Sequence, residues 1–133
     1  MIQCDLIYLL GPEHFRRFCL PGIEAEAAYL DHVYFHLDGP GSFRHLDDLL
    51  AVPNIGIIPV DSGDGQPENH TWVDLFRRIL AKGKMVRIYG GGLDFERVKV
   101  LHRELGPKGV IYCPAIGTRD GVARLCEWLA ANT

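Results

Sequence analysis

Residues 33–41 read VYFHLDGPG and mark the place where a buried strand gives way to a loop. Val33 to Leu37 is β-branched, aromatic and apolar, which favours a buried strand, and a Gly-Pro-Gly sequence cannot continue one. We therefore expect the strand to end at Asp38. Side chains two apart on a strand share a face, so His36 and Asp38 should point together at the carboxyl end, where α/β folds place their sites. This imidazole and carboxylate are a candidate acid–base pair or a candidate pair of metal ligands.

Predicted strands alternate with predicted helices along the chain. Four apolar segments have the composition of buried strands: residues 33–38, 55–58, 85–89 and 110–113. An amphipathic helix follows each of them, with its start marked by a capping side chain: Ser42, Thr71, Asp94 and Thr118. A further helix is expected to begin at Pro12 and to be interrupted at Pro21. Residues 6–10 fit either a short strand or the approach to that helix, because periodicity does not decide between them.

Four successive βα units predict an α/β fold with a parallel sheet covered by helices and joined by right-handed crossovers. Such units form either a small open sheet or half of an eight-unit barrel. At 133 residues, 47% of them hydrophobic and 23% charged, the chain fits one globular domain over residues 1–133.

Charge and hydropathy exclude several classes of function. A net charge of −3 argues against a protein that binds nucleic acid or a membrane surface. No apolar run approaches the roughly 18 residues of a membrane span, and no signal-peptide pattern is present, so we expect a cytoplasmic protein. The four cysteines lack a Cys-x-x-Cys pairing, which favours free thiols or, singly, a metal ligand.

Two loops are expected at the same edge of the sheet as His36. The loop from Asp61 to Pro67 is polar and follows the second strand, so Asp61 is a candidate substrate-binding residue. Gly90 and Gly91, after the third strand, would let a cofactor approach the backbone closely. The glycine run matches neither G-x-G-x-x-G nor a P-loop, and a solvated turn is the alternative interpretation for both loops.

Several short motifs stand in a family-like order: QCD at residues 3–5, GPEHF at 11–15, FHLDGPG at 35–41, HLD at 45–47 and GK at 83–84. Together they resemble the carboxyl-terminal half of the uroporphyrinogen decarboxylase superfamily, in particular its branch of corrinoid-dependent methyltransferase-like proteins. The resemblance runs almost from end to end of the chain. It implies the second half of a (βα)8 TIM barrel, since family members are barrels of more than twice this length.

The resemblance also implies a zinc site. In the thiol-methylating branch, a His-x-Cys pair and a distant cysteine hold Zn²⁺. Here His36 matches the histidine, Asp38 stands at the first cysteine, and Cys113 falls where the second is expected. Zinc bound to these three side chains would keep a fourth position for a substrate thiol, which it would deprotonate. Side chains on the first and fourth strands, about 14 Å apart in a sequential sheet, meet only if the sheet curves as in a barrel.

The resemblance implies that the chain is a half, or a fragment, of a corrinoid-linked methyltransferase that transfers a methyl group to a thiol-type acceptor. The alternatives are a fragment of a uroporphyrinogen decarboxylase-type tetrapyrrole lyase, an inactive fragment of a longer chain, and a small-ligand-binding α/β module. Whether the chain alone is an enzyme stays open. Expected partners are a complementary half-barrel or a second copy, a corrinoid (cobalamin) protein and a small-molecule substrate, and Asp5 is a further candidate binding residue.

Overall fold

A computed structural model describes all of residues 1–133 and shows an α/β fold with parallel strands. Six strand segments are present: β1 (Ile2–Gln3), β2 (Val33–Asp38), β3 (Ile55–Ile57), β4 (Val60–Asp61), β5 (Val86–Gly90) and β6 (Val110–Pro114). The four predicted strands are therefore present as β2, β3, β5 and β6, whereas β1 was not predicted and neither was β4, which lies beyond a division of the chain after β3. Pro59 lies at the division, where it has no N–H to donate to a ladder.

The strands lie side by side in the order in which they occur along the chain. β2 pairs with β1 on one side and with both β3 and β4 on the other, and β5 pairs with β6. A bridge between Ile57 and Met85 joins the two groups, and the Met85 amide donates to the Gly56 carbonyl at 2.8 Å. Since every ladder is parallel, the carboxyl ends of the strands come to one edge.

Helices occupy most of the connections between the strands. The α-helices are α1 (Pro12–His14), α2 (Leu20–Tyr29), α3 (Leu46–Ala51), α4 (Val73–Ala81), α5 (Phe95–Leu105) and α6 (Arg119–Ala131). A π-helical segment, Phe15–Cys19, joins α1 to α2, and 3-10 helices span Asp5–Leu9, Pro40–His45 and Asn69–Thr71. None of the helices combines the length and the apolar composition that crossing a membrane requires.

The predicted interruption at Pro21 is wrong, because the chain stays helical from Pro12 to Tyr29. Pro21 lies just after the π-helical segment, whose altered hydrogen-bond pattern accommodates a proline within a continuous helix. The Phe15–Cys19 segment absorbs the change in helical register before Pro21.

Two of the four predicted helix caps are confirmed and two are wrong. Asp94 caps α5 by accepting from the Arg97 amide at 2.8 Å, and Thr118 caps α6. Ser42 and Thr71 do not cap helices, and this part of the prediction is wrong. Their hydroxyls donate instead to the carbonyls three residues earlier, both at 2.7 Å, and so close 3-10 turns.

Burial alternates along the strands and defines two faces of the sheet. In β2, Val33, Phe35 and Leu37 are buried and the residues between them are only half-buried. The buried strand residues form a single hydrophobic core with those of the helices, so the helices cover one face. We call the other side the open face, and it carries Tyr34, His36, Asp38, Arg87, Tyr89, Ile111 and Cys113.

Candidate functional site

His36 is bonded to a carboxylate from the neighbouring strand. Its Nε2 atom donates to Oδ2 of Asp61, at the end of β4, and not to Asp38 on its own strand. Backbone pairing explains this choice, because Asp38 and Asp61 are in register at the carboxyl ends of β2 and β4. The side chains of His36 and Asp61 are 20% and 34% exposed, so the pair is accessible from the sheet edge.

Hydrogen bonding fixes the chemical state that the pair favours. Asp61 accepts at Nε2 of His36, whereas Nδ1 is buried without a partner. Since only Nε2 has an acceptor in the chain, the tautomer of the neutral ring that fits this arrangement carries its proton on Nε2. Oδ1 of Asp61 makes no hydrogen bond, and it is the atom through which a ligand would meet the pair.

A polar cavity of about 240 Å³ adjoins Asp61. Its wall consists of Asp61, Ser62, Gly63, Gln66, Glu68, Asn69 and Tyr89. The predicted loop of residues 61–67 and the end of β5 thus share one cavity, as expected for the carboxyl edge of a parallel sheet. Its size suits a small ligand.

Asn69 holds this part of the edge together, and no sequence pattern had indicated it. Its side chain is buried, its Nδ2 donates to the Val60 carbonyl, and its Oδ1 accepts from the Tyr89 amide at 2.9 Å. One amide therefore joins β4 to β5, where no backbone ladder does.

The glycine run after β5 makes room for residues of the neighbouring segment. Gly90 has a φ of +127°, and a Cβ there would lie 2.5 Å from a carboxylate oxygen of Glu68. A Cβ on Gly92 would lie 2.7 Å from the ring of His70, whereas Gly91 meets nothing within 4 Å. Glu68 therefore packs against Gly90 and His70 against Gly92, while Gly91 is open, and the cofactor-binding role of Gly90 and Gly91 stays a prediction.

His70 is the histidine in this region with a perturbed pKa. Burial lowers its pKa below the ordinary value, and the positive charge of Arg97 adds to the effect. The Arg97 side chain also donates to the His70 carbonyl at 3.2 Å. His70 therefore resists protonation in the folded protein.

Arg87 and Cys113 form a second cluster on the open face. The Nε atom of Arg87 donates to the Cys113 sulfur at 3.4 Å, and its Nη1 donates to the Tyr34 hydroxyl at 3.1 Å. The guanidinium carbon lies 5.2 Å from the centre of the Tyr89 ring. The bonds to Cys113 and Tyr34 raise the pKa of Arg87 above its already high value, so the cation is permanent.

The predicted zinc ligands do not fit a metal in this arrangement. No three His, Cys, Asp or Glu side chains of the chain are grouped so that they could hold a metal ion. His36 is bonded to Asp61, Cys113 is bonded to Arg87, and the Asp38 carboxylate makes no hydrogen bond. Asp5 is exposed and accepts from Gln3 at 2.9 Å. The geometry therefore supports an acid–base pair and a separate cationic cluster.

Part of this site was accessible from the sequence. His36 and Asp61 were both identified, because polar residues after buried strands lie at one sheet edge. Their direct pairing was missed, since it depends on register. Tyr34 and Arg87 were not identified from the sequence. Strand alternation places Tyr34 on the same face as His36, and Arg87 is the only lysine or arginine within a strand, so both signals were available.

Comparison with known proteins adds no relationship, since no family model, curated protein or solved structure matches the chain.

Proposed function

We propose that the chain is the carboxyl-terminal half of a (βα)8 barrel of the uroporphyrinogen decarboxylase superfamily. Two features support this: the ordered motifs of the sequence, and parallel strands that follow one another in chain order with helices over one face. In a barrel the face opposite the helices lines the interior. The open face, with its polar side chains, would then be the interior surface of the completed barrel.

The activity that we propose is transfer of a methyl group to a thiol-type acceptor, with the His36–Asp61 pair as its proton acceptor. The observation that carries this proposal is the position of the pair at the carboxyl edge, beside a polar cavity. A methylated corrinoid on a partner protein would supply the methyl group. The residues of this chain would bind the acceptor and remove its proton.

The proton transfer can be written in full. The acceptor thiol gives its proton to Oδ1 of Asp61, and its sulfur lone pair forms the new bond to the methyl carbon. The bond between carbon and donor breaks, and its electron pair stays with the donor. His36 is a positioning residue, because its Nε2–H orients the carboxylate and stabilises its charge. This role replaces the zinc that the family resemblance implies.

Loss of methylcobalamin absorbance in the presence of 2-mercaptoethanol tests the proposed activity. We expect the purified full chain to accelerate demethylation over buffer, and Asp61→Asn to reduce that acceleration by about 100-fold, as for removal of a general base. Asp64→Asn, in the same loop but outside the cavity wall, is the matched control and should keep the wild-type rate. A wild-type rate equal to that of buffer, or equal losses in both variants, would contradict the proposal.

A small-ligand-binding module is the second candidate, and the cavity beside Asp61 favours it. Here the pair would bind a ligand without turnover. Saturable binding of a thiol with no demethylation by the wild type would select this candidate over the first.

A further inference from the structure

We propose that Arg87 and Tyr34 form a binding site for the carboxylate group of a small organic monoanion on the open face. The carboxylate site itself is argued from the structure alone. Only the identification of its ligand as a substrate rests on the proposed function. Tyr34 precedes His36 by two residues on the same face of β2, so the site adjoins the His36–Asp61 pair.

Arg87 lacks the partner that a half-buried guanidinium ordinarily has. It makes no ion pair, and every ion pair in the chain involves other residues. The carboxylate of Asp61, on the same side of the sheet, is bonded to His36 and not to Arg87. Since withdrawing a cation from water is unfavourable without a compensating charge, this position calls for an external anion.

The guanidinium is held in place for such a ligand. Cys113 accepts from its Nε, Tyr34 accepts from its Nη1, and the Tyr89 ring lies beside it. Nη2 and one N–H of Nη1 have no protein partner. This remaining edge is the planar fork that donates two parallel hydrogen bonds to a carboxylate, and its prior ordering reduces the entropy cost of binding.

Space for the ligand lies over the strand between Tyr34 and Arg87. That strand is β3, and its exposed residue Gly56 has no side chain; a Cβ there would meet only the Val33 carbonyl, at 3.8 Å. A cavity of about 250 Å³ lies near the amino-terminal ends of β2 and β3, with a wall of His32, Val33, Tyr34, Asn54, Gly56, Ile57 and Met85. Arg87 is outside this wall and is joined to it through the hydrogen bond to Tyr34. Val33, Ile57 and Met85 are the apolar residues that a short hydrocarbon portion attached to the carboxylate would contact.

Charge selects a monoanion over a phosphate dianion. Arg87 is the only permanent cation of the open face, whereas Asp38 and Asp61 lie on the same side of the sheet. One guanidinium balances one carboxylate, but a second negative charge would remain unpaired near two acidic side chains.

The ¹H–¹⁵N resonance of the Arg87 Nε group, followed during titration of the full chain with sodium butyrate, tests the site. Sodium chloride keeps the ionic strength constant. We expect a saturable shift of this resonance with butyrate. In Arg87→Lys, which keeps the charge but loses the two-pronged donor, the butyrate affinity should fall by about tenfold. Because this variant lacks the Arg87 Nε group, its affinity is read from the Tyr34 resonances. Arg103→Lys, which changes an exposed arginine in α5, should bind as the wild type does. Retained dispersion of the amide spectrum will show that each variant is folded.

Dilution distinguishes two sources of the carboxylate. A shift of the Arg87 signal with protein concentration that added butyrate reverses by competition identifies an acidic side chain of a second copy as the ligand. A shift with butyrate alone identifies a small molecule, and either result supports a carboxylate site. No response to either, or an equal response to chloride or phosphate, overturns it. Butyrate binding is measured without a thiol or a methyl donor, so failure of this site is distinguished from failure of the proposed reaction.

Discussion

The two polar atoms of the Asn69 side chain serve two different strands. Its amide nitrogen donates to β4 in a buried bond, and its amide oxygen accepts from β5 in a half-buried one. Buried groups that lose such a partner pay the full penalty of desolvation. Asn69 is therefore expected to stabilise the edge of the sheet that carries Asp61.

Replacing Asn69 with alanine should lower the free energy of unfolding by about 2–4 kcal/mol, because the Val60 carbonyl and the Tyr89 amide both lose their partner. Urea denaturation measures this change. Asn132→Ala removes an exposed side-chain bond at the end of α6 and should cost less than about 0.5 kcal/mol. Equal losses in the two variants would show that Asn69 does not join the strands.

His70 should make the protein sensitive to acid. Burial lowers its pKa in the folded state, so the unfolded chain takes up the proton first as the pH falls below about 6.5. The free energy of unfolding should therefore decrease from there down to the folded pKa of His70. In His70→Gln this decrease should be smaller between pH 7.5 and pH 5 in denaturant titrations. An unchanged slope would contradict the role given to burial.

At the scale of the element, the sequence predicted a helix cap correctly at two of the four positions. Asp94 and Thr118 follow loops and precede helices of three or more turns, so their patterns were read correctly. Ser42 and Thr71 lie inside 3-10 turns, where a hydroxyl bonds backward to a carbonyl. The sequence pattern is the same in both cases, because local backbone geometry, and not residue type, distinguishes them.

Asp94→Ala should destabilise α5 by about 1 kcal/mol, since its carboxylate accepts from the Arg97 amide at 2.8 Å in the first turn. Thermal unfolding measures the loss. Asp120→Ala is the matched control, because Asp120 lies in the first turn of α6 without capping it, and only a few tenths of a kcal/mol should be lost. A control loss as large as that of Asp94 would rule out the cap as the cause.

At the scale of the whole molecule, the open face and the two outer strands leave surface without a partner within the chain. β1 and β6 each pair on one side only. Unpaired strand edges promote association, and the proposed half-barrel would be completed by a second sheet. Association with a complementary half or a second copy is therefore expected.

The wild-type chain should form dimers or larger species at tens of micromolar, as measured by light scattering. Ile111→Lys, on the open face of β6, should reduce association by placing an ammonium in the contact. Val100→Lys is the control, since Val100 on α5 is 39% exposed and Ile111 is 37% exposed. A monomeric wild type, or equal effects of the two variants, would contradict completion of the sheet by a second chain.

The sequence predicted the parallel α/β organisation and the polar edge more reliably than it predicted contacts. Apolar strands alternating with amphipathic helices leave few topologies, and polar residues after strands collect at one edge. Register between strands decides which side chains touch, and no local pattern encodes it. For this reason Asp61 rather than Asp38 meets His36, and the contact of Arg87 with Cys113 was not predicted.

The ¹⁵N chemical shifts of the His36 ring test the central claim most directly, because they report where its proton resides. The account predicts that the neutral ring carries its proton on Nε2 and not on Nδ1, with this preference lost in Asp61→Asn. Shifts averaged between the two nitrogens, as for an exposed imidazole, and unchanged in that variant would show that the His36–Asp61 pair does not exist in solution.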